Sequence, residues 1–297
     1  MDISRTGIEL GPLTIHFYGV LIVLGIVAGA NLTAWLAKKD HKDPEHVWNA
    51  LVWAVIGGVI GARLWFVFFP PLTSVEAGKT TAWMLSHPFD MNDGPLAIWN
   101  GGLGIFGAVL GGLVAVLLYM QKHKIRGLVR WEWLDVAAMA LPLGQFFGRW
   151  GNYVNQELYG RPTDLPWAIS IDFPPPQYAA ATGFHPLFLY EGLWNLALCG
   201  LMLWLWFNRR TMFKAGDFFS LYLIGYGFIR FWLEFLRIEV AEIQGLGVNS
   251  SQTASLMGLV IGLGLIFWRR QQTAWPFYLP VGEEKKSWAK KKNKAAT

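Results

Sequence analysis

Charge is what this chain has least of. Only 15% of its 297 residues are Asp, Glu, Lys or Arg, while 54% are hydrophobic and 17 are Trp. A soluble domain carries about 25% charged residues, so a water-soluble globule is excluded as the main body of the protein. Cysteine is nearly missing as well. The single one, Cys199, lies inside an apolar run, which rules out intramolecular disulfides and cysteine–metal clusters and reads as a buried thiol rather than a nucleophile. No HExxH, GxSxG, P-loop or paired-carboxylate metal pattern occurs, so neither a cofactor nor a metal is expected. There is no convincing internal repeat, which weighs against a transporter built from two inverted halves. The opening residues, MDISRTGIELGPL, lack a basic segment and a small-residue cleavage site, so no cleavable signal peptide is expected. The formal charge of +5 does not point to nucleic acid, because the basic residues cluster between apolar runs and in the tail.

What the chain does have is apolar stretches of bilayer length. Their spacing predicts seven spans, at roughly 15–36, 48–69, 97–119, 131–149, 187–207, 216–237 and 252–269. Lys38, Lys39 and Lys42 follow the first, Lys122, Lys124, Arg126 and Arg130 the third, and Arg209, Arg210 and Lys214 the fifth. Arg269, Arg270 and the run from Lys285 to Lys294 follow the last. The alternate connections are poor in cations: one holds only Lys79, and 238–251 holds none but carries Glu239 and Glu242. The positive-inside rule then predicts an outside amino terminus and a cytoplasmic carboxyl terminus. The expected fold class is an all-α integral membrane protein of seven transmembrane helices. One transmembrane domain covers 1–275, with residues 150–185 as an extracytoplasmic cap, and a basic cytoplasmic tail covers 276–297 and lies near anionic membrane lipids. Gly57 and Gly61, and Gly107 and Gly111 with Ala108 and Gly112, have the small-xxx-small spacing of close helix packing. Tryptophans near span ends read as interfacial anchors, with Trp99 also a candidate to line a site.

Orientation gives each polar residue a depth. His16 and Tyr18 fall at the outer end of the first span, Arg63 in the outer third of the second, and Asn100 in the first turn of the third. Arg149 ends the fourth and leads into GRWGNYVNQELYGRP, residues 148–162; His185, Tyr190 and Glu191 open the fifth; Arg230, Glu234 and Arg237 close the sixth. The ionisable groups are expected to gather in the outer half, with the inner halves nearly free of them. That pattern suits a lipid-handling enzyme or receptor better than a channel or ion-coupled carrier. Arg63, Arg149 and Arg230 should face the bundle interior or a wet cavity, with Glu partners or a bound anion, and a guanidinium fork suits phosphate.

Plainer readings stay open beside these. Arg230 and Glu234 are spaced to neutralise each other on one helix turn. Glu191 is a partner for either Arg63 or Arg149. His185, before a proline, fits a helix-start hydrogen bonder, and Asn155 and Gln156 fit loop-satisfying groups.

The stretch GRWGNYVNQELYGRP resembles the signature of the prolipoprotein diacylglyceryl transferases, a glycine-arginine-x-glycine-asparagine-aromatic pattern followed by Asn, Glu and Gly. HFYG, GARLWFVFF, WNGGLGIFGAVLGG, HPLFLYE and GYGFIRFWLEFLR extend the resemblance over nearly the whole chain. It implies transfer of a diacylglyceryl group from phosphatidylglycerol to the lipobox cysteine thiol of a preprolipoprotein, with release of glycerol-1-phosphate. Phosphatidylglycerol, lipobox peptides and membrane lipids are the partners so implied, and the location is a bacterial inner membrane with the site on its extracytoplasmic side. Position by position, Arg149 and Arg230 match the family's essential arginines and take the phosphate. Asn152 and Glu157 position headgroup or arginines, Gly160 allows close backbone approach, Tyr18 matches a first-span tyrosine, and Glu234 orients Arg230. Arg63 and Asn155 are further binding candidates. One departure matters: many relatives place histidine where this chain has Phe106. His185, Glu191 or Tyr190 then takes the thiol proton, or no dedicated base is needed, since a thiol of pKa about 8.5 near arginines is already partly thiolate. The rivals are a lipid or small-solute transporter and a non-catalytic binder of anionic lipid.

Overall fold

The computed structural model describes residues 2–10, 13–98, 101–238, 242–243, 248–273 and 275–281. Trp99, Asn100, Glu239 and the tail from Lys285 to Lys294 lie outside the described residues. The chain divides into two compact units, one of Met1–Lys42 with Trp131–Thr297 and one of Asp43–Arg130.

The first unit begins with three short strands, β1 (Asp2–Ile3), β2 (Gly7–Leu10) and β3 (Leu13–His16), paired antiparallel in that order. β3 runs directly into α1 (Phe17–Lys39). The second unit holds α2 (Glu45–Phe68), the short α3 (Leu72–Glu76) and α4 (Thr81–Ser86), and α5 (Ile105–Lys122). The chain returns to the first unit with α6 (Leu128–Asn155), a long irregular segment, and α7 (Leu187–Asn208). α8 (Asp217–Leu233) continues into a 3-10 turn over Glu234–Leu236. A two-stranded pair, β4 (Glu242–Ile243) and β5 (Val248–Asn249), precedes α9 (Ser250–Gln271). The strands are short additions to a helical protein.

Among the described residues six helices are long and apolar enough to cross a membrane: α1, α2, α5, α7, α8 with its 3-10 turn, and α9. Bare apolar side chains line several of them, Val23, Val52, Val109 and Val260 among those exposed. Such surface is suited to hydrocarbon, where a helix satisfies its own backbone. The seventh expected span, 131–149, falls within α6, which is 28 residues long but is not among the six. Its neighbours explain why. Gly144 packs against Gly25 of α1, Phe146 against Gly192 of α7, and Gln145 bonds Tyr222 of α8. A helix enclosed by protein can carry Glu132, Asp135, Gln145 and Arg149, which a lipid-facing helix cannot.

In the second unit α2 and α5 touch through their glycines. A Cβ on Gly61 would stand 2.2 Å from the Gly107 carbonyl oxygen, and one on Gly111 would stand 2.2 Å from that of Gly57. The two small-xxx-small pairs are therefore partners of each other.

The expected concentration of ionisable groups in one half needs correction. A second cluster fills the end of the first unit where α1, α7 and α9 stop and α6 and α8 start. Asp135 accepts hydrogen bonds from Gly216 N at 2.5 Å, Phe219 N at 2.8 Å and the Tyr278 hydroxyl at 2.7 Å, and so caps α8 from a neighbouring helix. Burial beside that carboxylate pushes the Tyr278 phenol well above its usual pKa. Arg210 pairs with Asp40 and stacks on Trp206, and fully buried Arg269 bonds Ser220 at 2.9 Å. Spacing alone misses this cluster, because each helix contributes only one or two of its charges.

Gly61→Val is expected to cost about 1–3 kcal/mol through overpacking, whereas Gly200→Ala, with nothing within 4 Å of the added carbon, should leave stability unchanged or slightly higher. Thermal unfolding of the detergent-purified variants checks both; equal melting temperatures would contradict the tight α2–α5 contact.

Candidate functional site

The polar stretch after Arg149 adopts its shape through an unusual helix end. α6 runs on to Asn155, and then Gln156 and Leu158 both take positive φ, 52° and 57°, in the left-handed region that side chains disfavour. The chain turns back, so that Glu157 N donates to the Asn152 carbonyl at 2.9 Å. The side chains follow: Asn152 Nδ2 donates to Glu157 Oε1 at 2.8 Å, and Asn155 Nδ2 reaches the same oxygen at 3.5 Å. With its nitrogen held, Asn152 turns its Oδ1 to Arg149, whose Nη1 donates to it at 3.0 Å. Strained backbone here positions an arginine.

Arg149 then meets residues from two other helices. Its Nη2 lies 2.9 Å from Glu191 Oε1 on α7 and donates to the Tyr226 hydroxyl on α8 at 3.3 Å. The other oxygen of Glu191 accepts from Arg230 Nη1 at 3.3 Å, so one carboxylate bridges two guanidiniums with one oxygen each. Arg230 Nη2 continues to Glu234 Oε2 at 3.2 Å, and Glu234 also accepts from Arg237 Nη1 at 3.2 Å and from Asn249 Nδ2 at 3.2 Å. The order is Arg149, Glu191, Arg230, Glu234, Arg237: three cations to two carboxylates. The carboxylates lie beneath, with side chains 3% and 0% exposed, while Arg149 and Arg230 keep 20% and 15% of theirs open. A positive surface with preset forks is the result, suited to a phosphate ester.

The remaining candidates divide. Tyr18 lies over Gly151, where a Cβ would come within 2.5 Å of its ring, and within electrostatic reach of Arg149. Gly160 does allow close approach, but of protein backbone: its N donates to the His185 carbonyl at 2.9 Å, and an added Cβ would stand 2.7 Å from His185 Cβ. His185 Nδ1 shares a hydrogen with the Tyr190 hydroxyl at 3.1 Å, which also accepts from Trp167 Nε1 at 2.8 Å. Those two side chains form a pair of their own, apart from the hydrogen bonds of Arg149 and Arg230. Of the two partners open to Glu191, the structure selects Arg149. Arg63 belongs to the second unit, where its guanidinium donates to the carbonyls of Gly94, Pro95, Gly101 and Gly102 at 2.6, 2.8, 2.8 and 3.0 Å. It has four carbonyls in place of the expected carboxylate or anion, and it shapes a loop.

Sequence reasoning missed Tyr226 and Asn249. Tyr226 carries a signal in its place four residues before Arg230, on the same helix face. Asn249 has none, because its roles are two: it caps α9 by accepting from Gln252 N at 3.0 Å while holding Glu234.

Removing the bridging carboxylate by Glu191→Leu should destabilise the protein by about 3–5 kcal/mol, since two partly buried arginines lose their shared partner. Chemical or thermal unfolding in detergent reads this out, and a change below about 1 kcal/mol would show that the bridge is not holding the helices.

The family model for prolipoprotein diacylglyceryl transferase matches residues 5–268. A protein of Synechococcus elongatus named phosphatidylglycerol–prolipoprotein diacylglyceryl transferase is 40% identical over 270 residues, covering 88% of this chain and 86% of its own. Proteins of the same name from Gloeobacter violaceus and Chloroflexus aggregans are each 36% identical; the alignments cover 90% and 92% of this chain, and 93% and 91% of theirs. The chain belongs to the prolipoprotein diacylglyceryl transferase family.

Proposed function

We propose that the protein transfers the diacylglyceryl group of phosphatidylglycerol to the lipobox cysteine of preprolipoproteins. In this reaction the bond between the diacylglyceryl C3 carbon and the phosphate oxygen breaks, and a carbon–sulfur bond forms. The thiol proton is released and glycerol-1-phosphate leaves. The reacting sulfur belongs to the substrate, so buried Cys199 has no part in it.

The observation that carries this reading is the row of alternating arginines and carboxylates, in which Glu191 and Glu234 are enclosed while the Arg149 and Arg230 side chains stay 20% and 15% exposed. Negative charge grows on the departing phosphate as the carbon–oxygen bond lengthens, and fixed donors aimed at it stabilise that state. Glu191 and Glu234 orient the two forks, Asn152 and Glu157 fix Arg149, and Tyr18 lies beside it as a hydroxyl donor for the headgroup. Near this positive surface a thiol of ordinary pKa about 8.5 is already partly deprotonated. We therefore assign no dedicated base, and leave His185 and Tyr190 as residues that tie α7 to the segment before it.

The same reading makes α6 a seventh span and places the amino terminus outside and the carboxyl terminus in the cytoplasm. The arginines then lie at outer-leaflet headgroup depth in the inner membrane, under a cap formed by 150–185, and the basic tail rests on anionic lipid. A transporter is disfavoured by the buried layer of Met139, Leu198, Cys199 and Met202 between the two polar ends of the first unit.

Incubation of the purified protein with labelled phosphatidylglycerol and a lipobox peptide should give a thioether-linked product. Arg149→Ala and Arg230→Ala should each slow product formation by roughly 10²–10³-fold while the protein still inserts in membranes. Wild-type rates in either variant would remove the phosphate role, and no product from the wild type would sink the function.

A further inference from the structure

One turn along α6, α7 and α8 from the arginines, the same three helices carry a second tier of polar side chains. Gln145 precedes Arg149 by four residues, Tyr222 precedes Tyr226 by four, and Asn195 follows Glu191 by four. Each therefore stacks beneath its counterpart. Gln145 Nε2 donates to the Tyr222 hydroxyl at 2.8 Å, and the Tyr222 and Tyr226 rings stack with centroids 5.8 Å apart. Tyr222 is within electrostatic reach of Glu191 and Arg149.

The neighbours of Asn195 fix its direction. α7 meets α6 through Gly192 against Phe146, and through Cys199 Sγ, which donates to the Met139 carbonyl at 3.3 Å. It meets α8 through Trp194 Nε1, which donates to the Gly225 carbonyl at 2.9 Å, and through Leu198 over Gly225. On a helical turn position 195 falls between these two contact lines. Its side chain is directed to the junction of α6 and α8, where Gln145 and Tyr222 join.

Asn195 is 0% exposed, and neither its Oδ1 nor its Nδ2 has a partner; Gln145 Oε1 is buried and unpartnered too. A buried polar atom without a partner costs about 1–3 kcal/mol, and three converging ones call for an occupant. The donor set narrows what it is. Two acceptor oxygens exclude an anion that carries no proton of its own. One amide donor excludes an ammonium, which has no lone pair to accept. A hydroxyl does both.

We infer that Gln145, Asn195 and Tyr222 form a buried hydroxyl-binding subsite directly beneath the arginines. Two sources share that chemistry: water, and the glycerol hydroxyls of the phosphatidylglycerol headgroup. The second rests on the function proposed above, and the first does not. In either case the subsite is a polar floor to the anion site.

The test uses the full-length protein in detergent, with Asn195→Leu as the isosteric apolar variant, and reads melting temperature alone, with phosphatidylglycerol, and with phosphatidylmethanol, which keeps the phosphodiester but has no headgroup hydroxyl. If the lipid is the source, phosphatidylglycerol raises the wild-type melting temperature by about 2–4 °C more than phosphatidylmethanol, and Asn195→Leu abolishes the excess. If water is the source, the two lipids act alike and the variant melts about 2–4 °C below wild type in every condition. A variant that melts at or above wild type without lipid, and leaves any difference between lipids unchanged, means a dry site and overturns the inference. Should that variant fail to fold, a wild-type density map that resolves other ordered waters decides: an oxygen peak within hydrogen-bond distance of Asn195 and Gln145 is expected, and its absence overturns the subsite. A wild type that makes no thioether product would retire the proposed reaction without altering these readouts.

Discussion

Two guanidiniums brought together repel, and only a shared anion keeps them side by side. In the first unit that anion is Glu191, 2% exposed, with one oxygen on Arg149 and the other on Arg230. Three helices are tied by this one carboxylate, since α6, α7 and α8 each contribute a member. Everything around it reads as support. The turn at Gln156 brings Glu157 to Asn152, Asn152 holds Arg149, and Asn249 at the start of α9 steadies Glu234 behind Arg230. The carboxylates are enclosed, and the part of Arg149 and Arg230 left exposed is what the proposed function assigns to the headgroup phosphate.

The opposite end of the same unit solves a different problem with similar groups. There Asp135 caps α8, Arg210 pairs with Asp40 against Trp206, and Arg269 is enclosed completely. Arg210 and Arg269 there are covered by aromatic faces, at side-chain exposures of 6% and 0%, while Arg270 pairs with Asp217 at the open rim. Paired and enclosed charge fastens helix ends, while Arg149 and Arg230, 20% and 15% exposed, keep the partial opening that the proposed function uses. Both ends use arginine with carboxylate, and Arg210 and Arg269 are the more enclosed of these cations.

Much of this was visible in the residues beforehand, and the exceptions are instructive. The glycine pairs of α2 and α5 announced their contact because small residues at helical spacing have few other uses. Arg149, Arg230, Asn152 and Glu157 stood out because polar residues beside an apolar run demand a reason. Arg63 looked equivalent to them, yet its partners are loop carbonyls, which no side-chain pattern reveals. Glu191 had two arginines to choose from, a tertiary choice invisible to spacing. Asp135 and Asn195 escaped notice because a single polar residue in an apolar helix gains meaning only from what the next helix sets opposite it.

The enclosure of α6 has a consequence for how the protein is made. As a span, this helix is too polar to enter a bilayer unaided: Glu132, Asp135, Gln145 and Arg149 each oppose insertion. Glu132 has an earlier partner in Lys42, but those of Asp135, Gln145 and Arg149 lie on α7, α8 and beyond, and leave the ribosome later. On the seven-span reading proposed above, α6 waits during synthesis, lodged against α1 at the Gly25–Gly144 contact, until the rest of the unit arrives. On that reading the residues of the proposed site also make membrane integration a cooperative event rather than a helix-by-helix one.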